Sequence, residues 1–97
     1  MEQNRDGSIA VVGAGGWGTA LAKILCERET SVRLWCREPE VLVSIRDRRV
    51  NEPFLSGIEL PSNLEPTNDL GAAIRGADVS VLAVPSRYFR SVLRSVA

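Results

Sequence analysis

Short unbroken apolar runs alternate along this chain with segments in which apolar residues recur three and four positions apart. The run at 8–12 reads as a buried parallel strand, because it lacks the alternation of a half-exposed one, and the runs at 32–36 and 79–84 read as two further strands. After the first run, Ala20, Leu21, Ile24 and Leu25 fall at helical spacing with Lys23, Glu27 and Arg28 between or beyond them, which predicts an amphipathic helix of about three turns. Pro39 suits the first turn of a second helix, reaching to about residue 47, with Val41, Leu42 and Ile45 as its stripe. Residues 48–63 hold Pro53, Gly57 and Pro61 without a sustained period and read as a long connection, a class of segment that is often functional. A short strand at 64–67 precedes Asn68 and Asp69, either of which can cap a helix bearing Leu70, Ala73 and Ile74. Pro85 and Ser86 make a turn, and Tyr88, Phe89, Val92, Leu93 and Val96 mark a last helix. Residues 1–7 are polar and read as a disordered tail.

Four strands alternating with four helices predict an α/β fold, a parallel sheet with helices on both faces joined by right-handed crossovers. In the Rossmann-type arrangement the strand order is 3-2-1-4, with a ligand crevice where the order reverses between strands 1 and 4. The chain has 97 residues, and a complete two-halved sheet runs to roughly half as many again, so the expectation is a domain truncated before its second half, spanning residues 8–97.

Four of the eight glycines lie in Gly13-Ala14-Gly15-Gly16-Trp17-Gly18, directly after the first strand and before the first helix. Read as G-x-G-x-x-G, Gly13 allows a tight turn, Gly15 lets backbone approach a pyrophosphate, and Gly18 lets helix pack on strand. The free N–H groups and positive dipole end of the helix then meet the phosphates. A tight structural turn also favours glycine, so it is the strand-glycines-helix order that carries the dinucleotide reading. A Walker-type loop is excluded because no G-K-[ST] follows.

The end of the second strand, about twenty residues past the glycines, is where such folds read the adenosine ribose. Arg37 stands there and suits a 2′-phosphate, whereas Glu38 suits either a 2′-hydroxyl or the N-terminus of the following helix. NADP or NAD therefore both fit. Twelve basic residues balance twelve acidic ones, which removes any net field for nucleic acid or an anionic membrane. No apolar run approaches a membrane span and no leader opens the chain, so a cytoplasmic protein is expected. Cys26 and Cys36 have neither redox-pair spacing nor a histidine to complete a metal site, and read as buried free thiols.

The run from Ile9 through the glycines to Thr19 and Ala20 resembles the opening of the glycerol-3-phosphate dehydrogenases, in which tryptophan before the last glycine is characteristic. Leu34-Trp35-Cys36-Arg37, Asn51-Glu52-Pro53-Phe54-Leu55, Leu60-Pro61, Ala77-Asp78 and Val84-Pro85-Ser86 are similar to later motifs of that family, in the same order. The resemblance implies that Gly13, Gly15 and Gly18 hold a pyrophosphate with Gly16 and Trp17 against the dinucleotide. It also implies that Arg37 borders the adenosine and that Pro85, Ser86 and Tyr88 lie near the nicotinamide half. Packing alternatives stand beside two of these, a core anchor for Trp17 and a packed helix face for Tyr88. Glu29-Thr30, Ser56 and Gly71 depart from the family pattern.

By the same resemblance, the parent enzyme moves hydride between NAD(P)H and dihydroxyacetone phosphate, giving sn-glycerol 3-phosphate for phospholipid synthesis. The family's catalytic lysines and helical substrate domain are expected beyond residue 97, so no catalytic residue and no metal ligand is assigned within this chain. A homo-oligomer is left open. Two other readings stay open: a stand-alone nucleotide-binding module without catalysis, and the start of another dehydrogenase acting on hydroxyacids or opines.

Overall fold

The structure, a computed structural model, describes residues 8–28 and 31–95. The polar tail at 1–7 and the departure at Glu29-Thr30 lie outside the described residues. The elements run β1 (Ser8–Val12), α1 (Gly16–Leu25), β2 (Ser31–Trp35), α2 (Pro39–Arg48), β3 (Leu64–Thr67), α3 (Leu70–Ile74), β4 (Val79–Leu82), a 3₁₀ turn (Ser86–Tyr88) and α4 (Phe89–Ser95). The strand pairings within the sheet are parallel and its order is β3-β2-β1-β4, as the alternation of elements predicted.

β1 is central, pairing Val11 with Leu34 on one side and with Val81 on the other. Its Ala10, Val11 and Val12 have no exposed surface, which accounts for the unbroken apolar run. β2 departs from that pattern. Val32 and Leu34 are fully buried, while Ser31, Arg33 and Trp35 on the opposite face are half-buried. The reason lies in the helices. α1 and α2 supply Ala22, Val41 and Ile45 to one continuous cluster with Val11, Val32, Leu34 and Leu64, whereas α3 has only five residues, of which Ala73 alone is buried. Asp69 caps α3, its carboxylate accepting the Ala72 N–H at 3.0 Å.

The strand boundaries differ from the sequence expectation at two places. β2 ends at Trp35, leaving Cys36 just beyond it with its N–H still bonded to the Thr67 carbonyl at 2.7 Å. β4 ends at Leu82 and not at 84. The Ala83 N–H donates to the Val12 carbonyl, after which β1 turns away at Gly13 and Pro85 offers no N–H to prolong a ladder.

The connection 49–63 is well tied. Arg49 ends α2 in the left-handed conformation, φ 58°, and its guanidinium donates to the carbonyls of Pro61 and Leu64. The Leu60 N–H returns to the Arg49 carbonyl at 2.7 Å, closing the segment into a compact strap against the glycine loop. The described residues form a slab of 41 × 35 × 19 Å.

Candidate functional site

A cleft of about 580 Å³ opens at the carboxyl ends of the strands, between the turn after β1, the end of β2 and the segment after β4. Its position is the topological switch point of the sheet, where open α/β folds place ligands.

Three glycines shape the turn beside it, each for a separate steric reason. Gly13 has φ +122°, and a Cβ there would lie 2.7 Å from the Ala83 carbonyl oxygen, so the turn and the approach to β4 both need glycine. A Cβ on Gly18 would fall 1.9 Å from the Gly13 oxygen, which is the close contact between helix and strand. Gly15 is the reverse case: nothing lies within 4 Å of where its Cβ would be, and it lines the cleft. Space at Gly15 is therefore left for something other than this chain's own packing.

α1 starts immediately at this point. Gly15 is its N-cap, no side chain caps the helix, and no acidic residue occupies its first turn. The first-turn N–H groups and the positive end of the helix are left for an anion.

Gly13, Gly15, Arg37, Pro85 and Tyr88, five of the residues singled out from sequence, come together on the cleft wall. Gly16, Trp17, Gly18 and Ser86 do not line it. Gly16 lies under the strap, where a Cβ would meet the Phe54 carbonyl oxygen at 2.9 Å. Trp17 is 70% exposed at the start of α1, so its alternative as a core anchor is excluded. Ser86 opens the 3₁₀ turn and is exposed beside Arg87 and Arg90.

Tyr88 closes that 3₁₀ turn and precedes α4, and its ring is held between two guanidinium groups. The Arg37 carbon lies 4.8 Å and the Arg87 carbon 5.0 Å from the ring centroid. The guanidinium groups of Arg37 first, and then Arg87, hold the Tyr88 phenol below its ordinary pKa. Glu38 lines the same edge, standing at the N-cap of α2 without a capping hydrogen bond, so its carboxylate is not consumed by the helix.

Two residues of the site were met in the sequence only as part of the Asn51–Leu55 motif, with no role assigned to either. Phe54 places its half-exposed ring on the cleft wall opposite the β4 side. Asn51 is fully buried and binds the glycine loop directly. Beyond that motif, the signal was their position in a long connection, which indicates function without saying which residue carries it.

Cys26 and Cys36 are free and buried. Desolvation pushes the Cys26 thiol up to about 11 and the Cys36 thiol up to about 12, so neither is a nucleophile at neutral pH. Lys23, the one lysine in the sequence, sits away from the cleft beside Glu27, Arg49 and Glu59. No group of three or more potential metal ligands occurs among the described residues. No described helix is long and apolar enough to cross a membrane.

Known proteins share both the sequence and this arrangement. The chain is 47% identical over 87 residues to a glycerol-3-phosphate dehydrogenase [NAD(P)+] of Moorella thermoacetica, a match covering 90% of the chain and 26% of the relative. It is 48% identical over 89 residues to the protein of that name from Geobacter metallireducens, covering 92% of the chain and 27% of the relative. The solved glycerol-3-phosphate dehydrogenase of Coxiella burnetii superposes with a TM-score of 0.85 at 34% identity, over 93% of this chain and 28% of that one. The Saccharomyces cerevisiae enzyme superposes at 0.88 with 27% identity, over 95% and 30%. The chain thus spans about a quarter of the length of the curated relatives it matches. The model of the NAD-dependent glycerol-3-phosphate dehydrogenase N-terminus matches residues 8–97, and the chain accordingly belongs to that family, as the part that contains the glycine loop.

Proposed function

We propose that this chain is the cofactor-holding domain of an NAD(P)-dependent sn-glycerol-3-phosphate dehydrogenase. The observation that carries the proposal is the open Cβ position at Gly15, set between two crowded glycines at an uncapped helix start. Packing within the chain does not require glycine there, whereas the approach of a pyrophosphate to the backbone does.

The residues present fit a dinucleotide. Gly13 and Gly15 would admit the pyrophosphate, and the backbone N–H groups of 15–18 would bind it, with Gly18 keeping the helix start close to β1. Arg37 and Glu38 would border the adenosine ribose, Arg37 favouring a 2′-phosphate and Glu38 a 2′-hydroxyl. Pro85 and Ser86 would stand near the nicotinamide half, with Gly16 and Trp17 at the rim between loop and strap. Tyr88, in contact with Arg37, would stand on the adenosine side and not near the nicotinamide as the family resemblance implied. When bound, NAD(P) supplies or accepts the hydride exchanged with dihydroxyacetone phosphate and glycerol 3-phosphate. The contribution of this chain is binding and orientation, since none of the residues on its cleft wall is a lysine or histidine able to polarise a carbonyl and donate its proton.

The proposal extends to supply of glycerol 3-phosphate for phospholipid synthesis and to a cytoplasmic location, which the two free cysteines favour. Calorimetric titration of the full-length protein with NADH and NADPH tests it. A Gly15→Val variant is expected to keep the fold and lose most of its cofactor affinity. Equal affinity in variant and wild type would reject the glycine loop as the binding element.

A further inference from the structure

Asn51 is fully buried in a segment with little regular structure, and its carboxamide is nearly saturated with partners. The side-chain nitrogen donates to the Ala14 carbonyl at 2.9 Å and to the Thr19 hydroxyl at 2.7 Å. The side-chain oxygen accepts the Phe54 N–H at 3.2 Å, which fixes the orientation of the amide, because an N–H can be met only by the oxygen. Ala14 belongs to the glycine loop, Thr19 to the first turns of α1, and Phe54 to the strap that walls the cleft. One side chain therefore joins all three pieces.

The contact with Ala14 has a directional consequence. In a trans peptide the carbonyl and the following N–H point to opposite sides, and no cis peptide occurs among the described residues. Drawing the Ala14 carbonyl toward the strap leaves the Gly15 N–H on the side away from it. A free carbonyl could instead swing toward the cleft and present a negative dipole to an anion. Asparagine suits the position, because aspartate could not donate to the Ala14 carbonyl and an aliphatic isostere would leave three buried polar groups without a partner.

We infer that Asn51 is a positioning residue for the dinucleotide site, clamping the glycine loop in the conformation that presents its amides to a pyrophosphate. This rests on the cofactor-holding reading above. The carboxamide acts through the backbone of the loop and needs no contact with the cofactor itself. Preorganised binding groups require such support, since a loop free to rotate its peptides has to be ordered at each binding event.

The test uses the full-length protein, with Ser44→Ala as the comparison. Ser44 is a buried residue of α2 that ties the same strap, donating to the Val50 carbonyl and accepting the Glu52 N–H, but it touches no part of the glycine loop. Three quantities are read: the melting temperature, the dissociation constant for NADH by calorimetry, and hydrogen exchange of the 15–19 amides without cofactor. Asn51→Ala is expected to weaken NADH at least about ten-fold and to speed loop exchange, with Ser44→Ala changing NADH affinity less than about two-fold at a similar loss of melting temperature. Equal weakening by the two variants at equal loss of melting temperature, or unchanged loop exchange in Asn51→Ala, would overturn the inference. If Asn51→Ala does not fold, Thr19→Val removes one acceptor of the same carboxamide at nearly constant volume and enters the same comparison. Failure of the wild-type protein to bind any dinucleotide would overturn the cofactor reading and the affinity part of the inference, while the exchange measurement still decides whether Asn51 fixes the loop.

Discussion

Arg37, just past the end of β2, lies over the ring of Tyr88, which follows β4, so a cation-π contact of 4.8 Å spans the cleft across the switch point of the sheet. The same guanidinium lowers the pKa of the Tyr88 phenol. An Arg37→Ala variant should therefore move the Tyr88 titration up toward the ordinary phenol range. Tyr88 is the one tyrosine of this chain, so the absorbance change on phenolate formation reports it directly.

The cofactor preference should change with the same variant. A charge-assisted contact to a 2′-phosphate contributes about 1.5–3 kcal/mol, so Arg37→Ala should lose roughly that much NADPH affinity and much less for NADH. Equal losses for the two cofactors, measured by titration calorimetry, would mean that Arg37 does not read the phosphate. Glu38→Gln should act in the opposite sense, removing repulsion of the phosphate and exchanging a charged acceptor of the 2′-hydroxyl for a weaker neutral one.

The glycines should separate into two groups by denaturant unfolding. Gly18→Ala forces a methyl against the Gly13 carbonyl and should cost on the order of 1–3 kcal/mol or more in stability, because backbone must shift. Gly15→Ala meets open space and should leave stability nearly unchanged. A similar loss from both would contradict the contacts at the helix start.

The thiols set an alkaline limit. Both cysteines are raised above 9.0 in the folded chain, to about 11 and about 12, so between these values and 9.0 the unfolded state has released protons that the folded state keeps. Their burial thus stabilises the fold fully below pH 9.0, and that contribution is lost as pH rises through about 11 to 12. Urea unfolding midpoints should fall across this window, and replacing both cysteines with alanine should flatten the fall. Thiol reagents at pH 8 should modify the native chain slowly and the urea-unfolded chain fast.

The isolated chain should not oxidise NAD(P)H with dihydroxyacetone phosphate, even with cofactor bound, because substrate must be held against the nicotinamide by groups absent from this cleft wall. Val79 is 53% exposed on β4, an edge strand of the sheet, so the short chain should also self-associate. Turnover by the short chain at the rate of the full-length protein would place the catalytic groups within these residues.

The sheet order and the cleft were legible in the sequence because each follows from a local signal. Unbroken apolar runs marked β1 and β4, and Gly13, Gly15 and Gly18 stood between a strand and a helix. The packing of the strap was not legible, although its Asn51–Leu55 motif was. Asn51 is polar and fully buried, and its partners Ala14 and Thr19 are 37 and 32 positions away, a pairing that no hydrophobic period announces. Phe54 was hidden for the related reason that its backbone, through the oxygen over Gly16, matters to the loop as much as its ring does. The half-buried face of β2 escaped too, since the alternation of Ser31, Arg33 and Trp35 reflects how little a five-residue α3 can cover.

The pairing of β1 with β4 joins Ile9 to Val79, and the Gly13 turn rests on Ala83. Loop closure over such a separation is slow relative to the pairing of β1 with β2, whose partners are far nearer in sequence. During vectorial synthesis the glycine turn therefore emerges early but has no wall to lean on until β4 has left the ribosome. The cleft therefore forms only after the pairing of β1 with β2, so a dinucleotide bound there would favour the end of folding more than its beginning.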